Sequence, residues 1–78
     1  MPTVLRIKGF RFHFYSDEGA EPAHIHVRSG EGECKFWLSP ISLARNRGIP
    51  AHQLSEIERL VFANQQFLLE NFGDYHGG

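Results

Sequence analysis

The chain has 78 residues, 8 Lys plus Arg against 9 Asp plus Glu, 41% hydrophobic residues and a single cysteine. That length holds one domain with a modest core, and seven Phe residues in it exclude a disordered chain. The near-neutral balance excludes nucleic-acid binding by bulk charge and leaves only a local patch for it.

No apolar run is long enough to span a membrane, and no basic segment leads from Met1 into an apolar stretch, so the expectation is one cytoplasmic domain over residues 1–78. Cys34 has no second thiol for a disulfide or a zinc cluster and reads as a core residue. Five histidines in so short a chain are the unusual feature, because imidazole titrates near neutrality.

Residues 4–7, a Lys8-Gly9 break and residues 10–15 predict a first strand or tight hairpin, with Phe10, Phe12 and Phe14 alternating with Arg11, His13 and Tyr15. Residues 16–23 are polar and rich in Gly and Pro, which predicts a surface loop. A second strand follows over His24, Ile25, His26, Val27 and Arg28, then a turn in which Gly30 suits the first central position of a type II′ hairpin. A third strand over residues 33–38 places Cys34, Phe36 and Leu38 on one side and Lys35 and Trp37 on the other.

Pro40 ends that strand, and residues 41–44 read as a short edge strand or an irregular connector before the turn-prone Asn46-Arg47-Gly48. From about Pro50, Leu54, Ile57, Leu60, Val61, Phe67, Leu68 and Phe72 fall near one helical stripe, with Gly73 suited to the helix end. His52 and His76 read as surface residues, and the tail from Asp74 as frayed. The predicted class is α+β: an antiparallel sheet of three to four strands followed by one long C-terminal amphipathic helix packed on one face.

Sequential antiparallel hairpins must bring the apolar faces together, which fixes the parity of the register, since a one-residue slip inverts every side chain. Phe14 then opposes Ile25, Phe12 opposes Val27, Ile25 opposes Phe36 and Val27 opposes Cys34, all facing the helix. The other face, expected to be exposed, carries three rows: Tyr15, His24 and Trp37; His13, His26 and Lys35; Arg11, Arg28 and Glu33.

That face supports three readings. In the first it binds RNA or DNA: Arg11, Arg28 and Lys35 contact phosphates, and Tyr15 and Trp37 stack on bases. If His24, His26 and His13 also act as acid and base toward a ribose hydroxyl, the protein is a metal-independent ribonuclease needing no cofactor. In the second, His24 and His26, about 7 Å apart on one side of a strand, hold a metal ion with a third ligand from His13, Asp17 or Glu21. In the third, Trp37 and Tyr15 form an apolar patch that pairs with a partner protein or a second copy, which would also extend a small core. Beside all three stands the ordinary solvated sheet face, with Glu33 paired to Arg28.

The segments Met1-Pro2-Thr3-Val4, Glu21-Pro22-Ala23-His24-Ile25-His26-Val27, Cys34-Lys35-Phe36-Trp37-Leu38 and Asn46-Arg47-Gly48 together resemble domain-of-unknown-function family 4160, small bacterial proteins. The similarity runs into the helix through Glu56-Ile57-Glu58-Arg59 and Leu68-Leu69-Glu70-Asn71, and the Pro-x-His-Ile-His-Val block is its most specific element. The chain departs from that pattern at Pro50, where a Ser-like cap is common, and at Phe72, where a Trp is common. The resemblance implies a component of a two-gene module of the toxin–antitoxin type, with a small cognate partner, and names no catalytic residue.

Overall fold

The computed structural model describes residues 3–16 and 18–77. Five strands, β1 (Thr3–Ile7), β2 (Phe10–His13), β3 (His24–Ser29), β4 (Gly32–Leu38) and β5 (Ile41–Arg47), precede two helices, α1 (Ala51–Ala63) and α2 (Gln65–His76). The strands form one antiparallel sheet in the order β1-β2-β3-β4-β5. The α+β class and the antiparallel sheet are as expected. The sheet has five strands rather than three or four, and the single long helix is two.

The turn chemistry explains the extra N-terminal strand. Lys8 and Gly9 both have positive φ, 53° and 82°, the signature of a type I′ turn, which folds residues 3–13 into a complete hairpin. At the second hairpin Gly30 alone is left-handed, with φ 60°, as a type II′ turn requires, and Ser29 pairs with Gly32 around it.

The central register is the one that alternation dictates. Arg11 faces Arg28, Phe12 faces Val27 and His13 faces His26; His24, Ile25, His26, Val27 and Arg28 face Trp37, Phe36, Lys35, Cys34 and Glu33. The β2–β3 ladder stops at His13, so the expected pairs of Phe14 with Ile25 and Tyr15 with His24 do not form part of it. Residues 41–47 form an edge strand, the strand alternative rather than the connector, and it runs three residues beyond the expected 41–44. Lys35 pairs with Arg45 and Phe36 with Leu43, so Ala44 is an extra residue that locally disturbs the register.

Phe10, Phe12, Phe14, Ile25, Val27, Cys34, Phe36 and Leu38 form the core with Ile57, Val61 and Leu68 of the helices, and Ile49 closes it at the entrance to α1. The helical stripe stays in phase across the break, since Ile57, Val61 and Leu68 are all buried. Asn64 and Gln65 interrupt its apolar run. The Asn64 side chain donates to the Leu60 carbonyl at 2.8 Å and its backbone leaves the helical region at φ −117°, ψ 18°, while Gln65 reaches across to the Leu38 carbonyl at 2.7 Å. Phe67, expected on the stripe, is 43% exposed. The helix runs past Gly73 to His76, whose ring lies 4.4 Å from that of Phe72 and 6.0 Å from that of Phe14, so His76 is a packing residue and not a frayed surface one.

Candidate functional site

The sheet face away from the helices is organised in rows that cross all five strands. One row runs Arg6, Arg11, Arg28, Glu33, Arg47, each the direct cross-strand neighbour of the next. The adjacent row runs Thr3, His13, His26, Lys35, Arg45. Two expected rows therefore hold, and the additional strands extend each at both ends. The third does not. Beyond the end of β2 the Tyr15 ring lies over His26 and against His13, with centroids 4.5 and 5.0 Å away, and its hydroxyl donates to Glu33 at 2.8 Å. Trp37 stays beside His24 at 5.8 Å, with the Lys35 ammonium 4.5 Å above its ring.

The expectation that the histidines are exposed is overturned. His13, His24 and His26 are 1%, 0% and 1% exposed, and Lys35 is also buried. Part of the cover comes from the loop between β2 and β3, predicted to lie on the surface, which folds back so that Glu18 meets the histidines. Glu18 Oε1 is 2.8 Å from His24 Nε2 and 2.6 Å from His26 Nε2. Glu21 from the same loop pairs with Lys35 at 2.6 Å. Asp17, expected as a candidate ligand, lies outside the described residues.

The second nitrogen of each imidazole is also placed. His24 Nδ1 is 2.8 Å from the Pro22 carbonyl, which can only accept, so Nδ1 carries the proton. His26 Nδ1 faces Glu33 Oε2 at 3.5 Å. Glu33 is in turn fixed by Tyr15 and by Arg28, which donates to Oε1 at 2.8 Å. His13 stacks on His26 with centroids 5.7 Å apart and planes 18° from parallel, and neither of its ring nitrogens has a hydrogen-bond partner among the described residues.

Burial lowers the pKa of His13 and of His26, against the opposing pull of Glu33 on the first and Glu18 on the second. Burial pushes the Glu18 carboxyl up, but the hydrogen bonds and charge of His24 and His26 outweigh it and hold the group below the usual carboxylate range. Burial and the hydrogen bond to Glu33 raise the Tyr15 hydroxyl. Cys34, in the core, is pushed up to about 12 by burial, which makes it an inert thiol.

A cleft of about 240 Å³ opens over this cluster, lined by Tyr15, Glu18, His26, Arg28, Glu33, Cys34, Lys35, Arg45 and Arg47. A second, of about 170 Å³, is lined by Arg6, Gly9, Arg11, Arg28 and Gly30, so Arg28 borders both. Of the three histidines, His26 lines the first of these two clefts, and His13 and His24 line neither. Arg6, Arg45 and Arg47 are exposed, Arg11 is half-buried, and none of the four pairs with a described acidic residue. Sequence reasoning missed Glu18, whose approach depends on a loop conformation that no spacing rule fixes. It also missed Arg6, Arg45 and Arg47, though the alternation Arg45-x-Arg47 already placed two cations on one side of a strand.

Fold and site define a small α+β protein with a histidine–carboxylate centre beneath a basic sheet face. The chain belongs to the family described as domain of unknown function (DUF4160), whose pattern matches residues 9–73. The comparisons found no match among curated proteins or solved structures. Among the described residues no helix is long and apolar enough to cross a membrane.

Proposed function

We propose that this protein binds RNA through the outer face of its sheet, as the nucleic-acid-facing component of a cytoplasmic two-gene module of the toxin–antitoxin type. The supporting observation is the row of four arginines, Arg6, Arg11, Arg28 and Arg47, interrupted only by Glu33 and flanked by Arg45 and Lys35 in the next row. Six of the eight cationic side chains thus share one face against Glu18, Glu21 and Glu33, while the helices carry Glu56, Glu58, Glu70 and Asp74 against a single Arg59. Charge that cancels over the whole chain is segregated in space, and a local basic field is what phosphate recognition needs. Strands at the usual spacing of about 4.8 Å set successive guanidiniums at intervals comparable with those of a nucleic-acid backbone.

Stacking falls chiefly to Tyr15, whose ring borders the cleft, because Trp37 is partly capped by Lys35. If the protein also cleaves RNA, burial narrows the candidate base to His26, since His13 and His24 do not reach the cleft.

The test is anisotropy of a labelled single-stranded RNA with the purified full chain. Arg11→Gln and Arg47→Gln weaken binding and Arg59→Gln, on the helical side, leaves it unchanged. Equal effects of all three substitutions, or no binding by the parent protein, defeat the reading. Incubation of the same RNA with His26→Asn and His13→Asn separates a reacting imidazole from a packed one. The module assignment draws on the family resemblance, and its check is relief of growth arrest by co-expression of the adjacent gene product.

A further inference from the structure

We propose that Glu18, His24 and His26 form a binding site for one divalent transition-metal cation of the zinc class, held by two imidazole nitrogens and one carboxylate oxygen. Donor atoms of the three residues lie within 4.8 Å of one another, and both histidines are buried.

A neutral imidazole has one N–H and one lone pair, yet His24 has an acceptor within hydrogen-bond distance of both nitrogens. His24 meets the Pro22 carbonyl at Nδ1 and Glu18 Oε1 at Nε2; His26 meets the same Glu18 Oε1 at Nε2, with Glu33 Oε2 at the longer distance of 3.5 Å from its Nδ1. With Nδ1–H given to Pro22, the Nε2 lone pair of His24 points at a carboxylate oxygen 2.8 Å away. Relief by protons alone requires a buried His24 imidazolium or a protonated Glu18 carboxyl, beside a His26 ring whose centroid is 5.2 Å away. A single dication resolves the conflict at His24: it takes the Nε2 lone pairs of His24 and His26 and the Glu18 oxygen, keeps the His24 Nδ1–H on the Pro22 carbonyl and leaves the His26 Nδ1–H facing Glu33.

That outer arrangement is the one metal-bound histidines use, with the free ring N–H donated to a backbone carbonyl or a carboxylate. Glu33 is itself held by Tyr15 and Arg28, so the partner of His26 is fixed in place. Metal–ligand distances of about 2.0 to 2.1 Å in tetrahedral geometry separate N and O donors by about 3.4 Å, so Glu18 retreats by less than about 1 Å on binding. Its position on a loop, rather than in the ladder, permits that movement. Two imidazoles with one carboxylate is a zinc-class donor set that leaves a coordination position open, and Glu18 and His26 border the cleft into which it faces.

The test uses the full chain without an affinity tag, stripped with a chelator, dialysed and titrated with Co²⁺ and then Zn²⁺ in the absence of RNA. The expected result is visible ligand-field absorption that saturates at one equivalent and is displaced by Zn²⁺. His24→Gln and His26→Gln each weaken binding by more than about 100-fold, Glu33→Gln by about 10- to 100-fold, and His52→Gln not at all. Glu18→Gln, in the loop, covers the case in which a histidine variant does not fold, and it too must lose affinity. Absence of cobalt absorption together with absence of heat on adding Zn²⁺ overturns the proposal. So does binding that persists in Glu18→Gln, or that is lost in His52→Gln. No RNA enters the assay, so its outcome is separate from that of the RNA-binding reading.

Discussion

Neutralising the two arginines of the edge strand, in Arg45→Gln with Arg47→Gln, tests the phosphate contacts quantitatively. Four guanidiniums on the sheet face, those of Arg6, Arg11, Arg45 and Arg47, have no described acidic partner, whereas Arg28 and Lys35 are held by Glu33 and Glu21. At about 0.7 counterions released per single-strand phosphate, four contacts give a slope of log affinity against log salt of about −2.8, so a fourfold rise in salt weakens binding about 50-fold. The double variant keeps two contacts, with a slope of about −1.4 and a loss of about 7-fold over the same range. Both side chains are exposed and make no described hydrogen bond, so stability stays within about 0.5 kcal/mol of the parent, checked by thermal melting. Anisotropy titrations at several salt concentrations read the two slopes directly. An unchanged slope in the variant refutes the involvement of β5, and a flat slope in the parent refutes phosphate contacts altogether.

The buried histidines set the acid limb of stability. Burial holds His13 and His26 below their ordinary pKa of 6.5, so the unfolded chain binds more protons than the folded one below that value. Their contribution is therefore complete above pH 6.5 and is lost progressively as pH falls below it, which urea unfolding at a series of pH values measures; stability that rises on acidification from pH 7 to 5.5 contradicts it. His13→Phe removes two partnerless ring nitrogens while keeping an aromatic ring against His26 and Tyr15, and holds or raises stability at pH 7 by up to about 1 kcal/mol while shrinking the pH dependence. Ile57→Ala, at a fully buried contact between α1 and the sheet, costs about 2 to 5 kcal/mol by denaturant unfolding, and a loss under 1 kcal/mol would mean that α1 is not seated there.

Period-two alternation made the centre of the sheet legible, because an apolar face in Phe12, Val27, Cys34 and Phe36 admits only one parity of pairing, and that parity also lines up His13, His26 and Lys35. The edges were less legible for the same reason. In β5, Ser42, Ala44, Arg45, Asn46 and Arg47 are exposed, so no buried face imposes a pattern, and Ala44 breaks the alternation that remains. The first hairpin turned on Lys8 taking a left-handed conformation, which a non-glycine residue adopts seldom enough that the pair Lys8-Gly9 is a weak signal. Asn64 divides the helical segment through its own side-chain bond to Leu60, while the apolar stripe on either side continues as if unbroken. The placement of the histidines on a common face was readable; their burial was not, because it depends on the path of the loop carrying Glu18.

That burial changes which chemistry the face can support. A general base must reach the proton it removes, within hydrogen-bond distance or through one water, and His24, 0% exposed with Nδ1 tied to Pro22 and Nε2 facing Glu18, has neither nitrogen free for a substrate. In this arrangement the two rings meet through the one Glu18 oxygen they share. His26 can meet an incoming anion from the cleft wall, beside the arginines that would hold it, only by giving up or sharing its contact with Glu18. Because Glu18 Oε1 contacts both rings, any displacement of Glu18 frees Nε2 of both histidines. A shift of the Tyr15 ring resonances on adding RNA, followed by NMR and absent in Glu18→Gln, is the expected signature of that displacement, since the Tyr15 ring lies 4.5 Å from His26 and its hydroxyl is tied to Glu33. The same shift in parent and variant would show that Glu18 is not displaced.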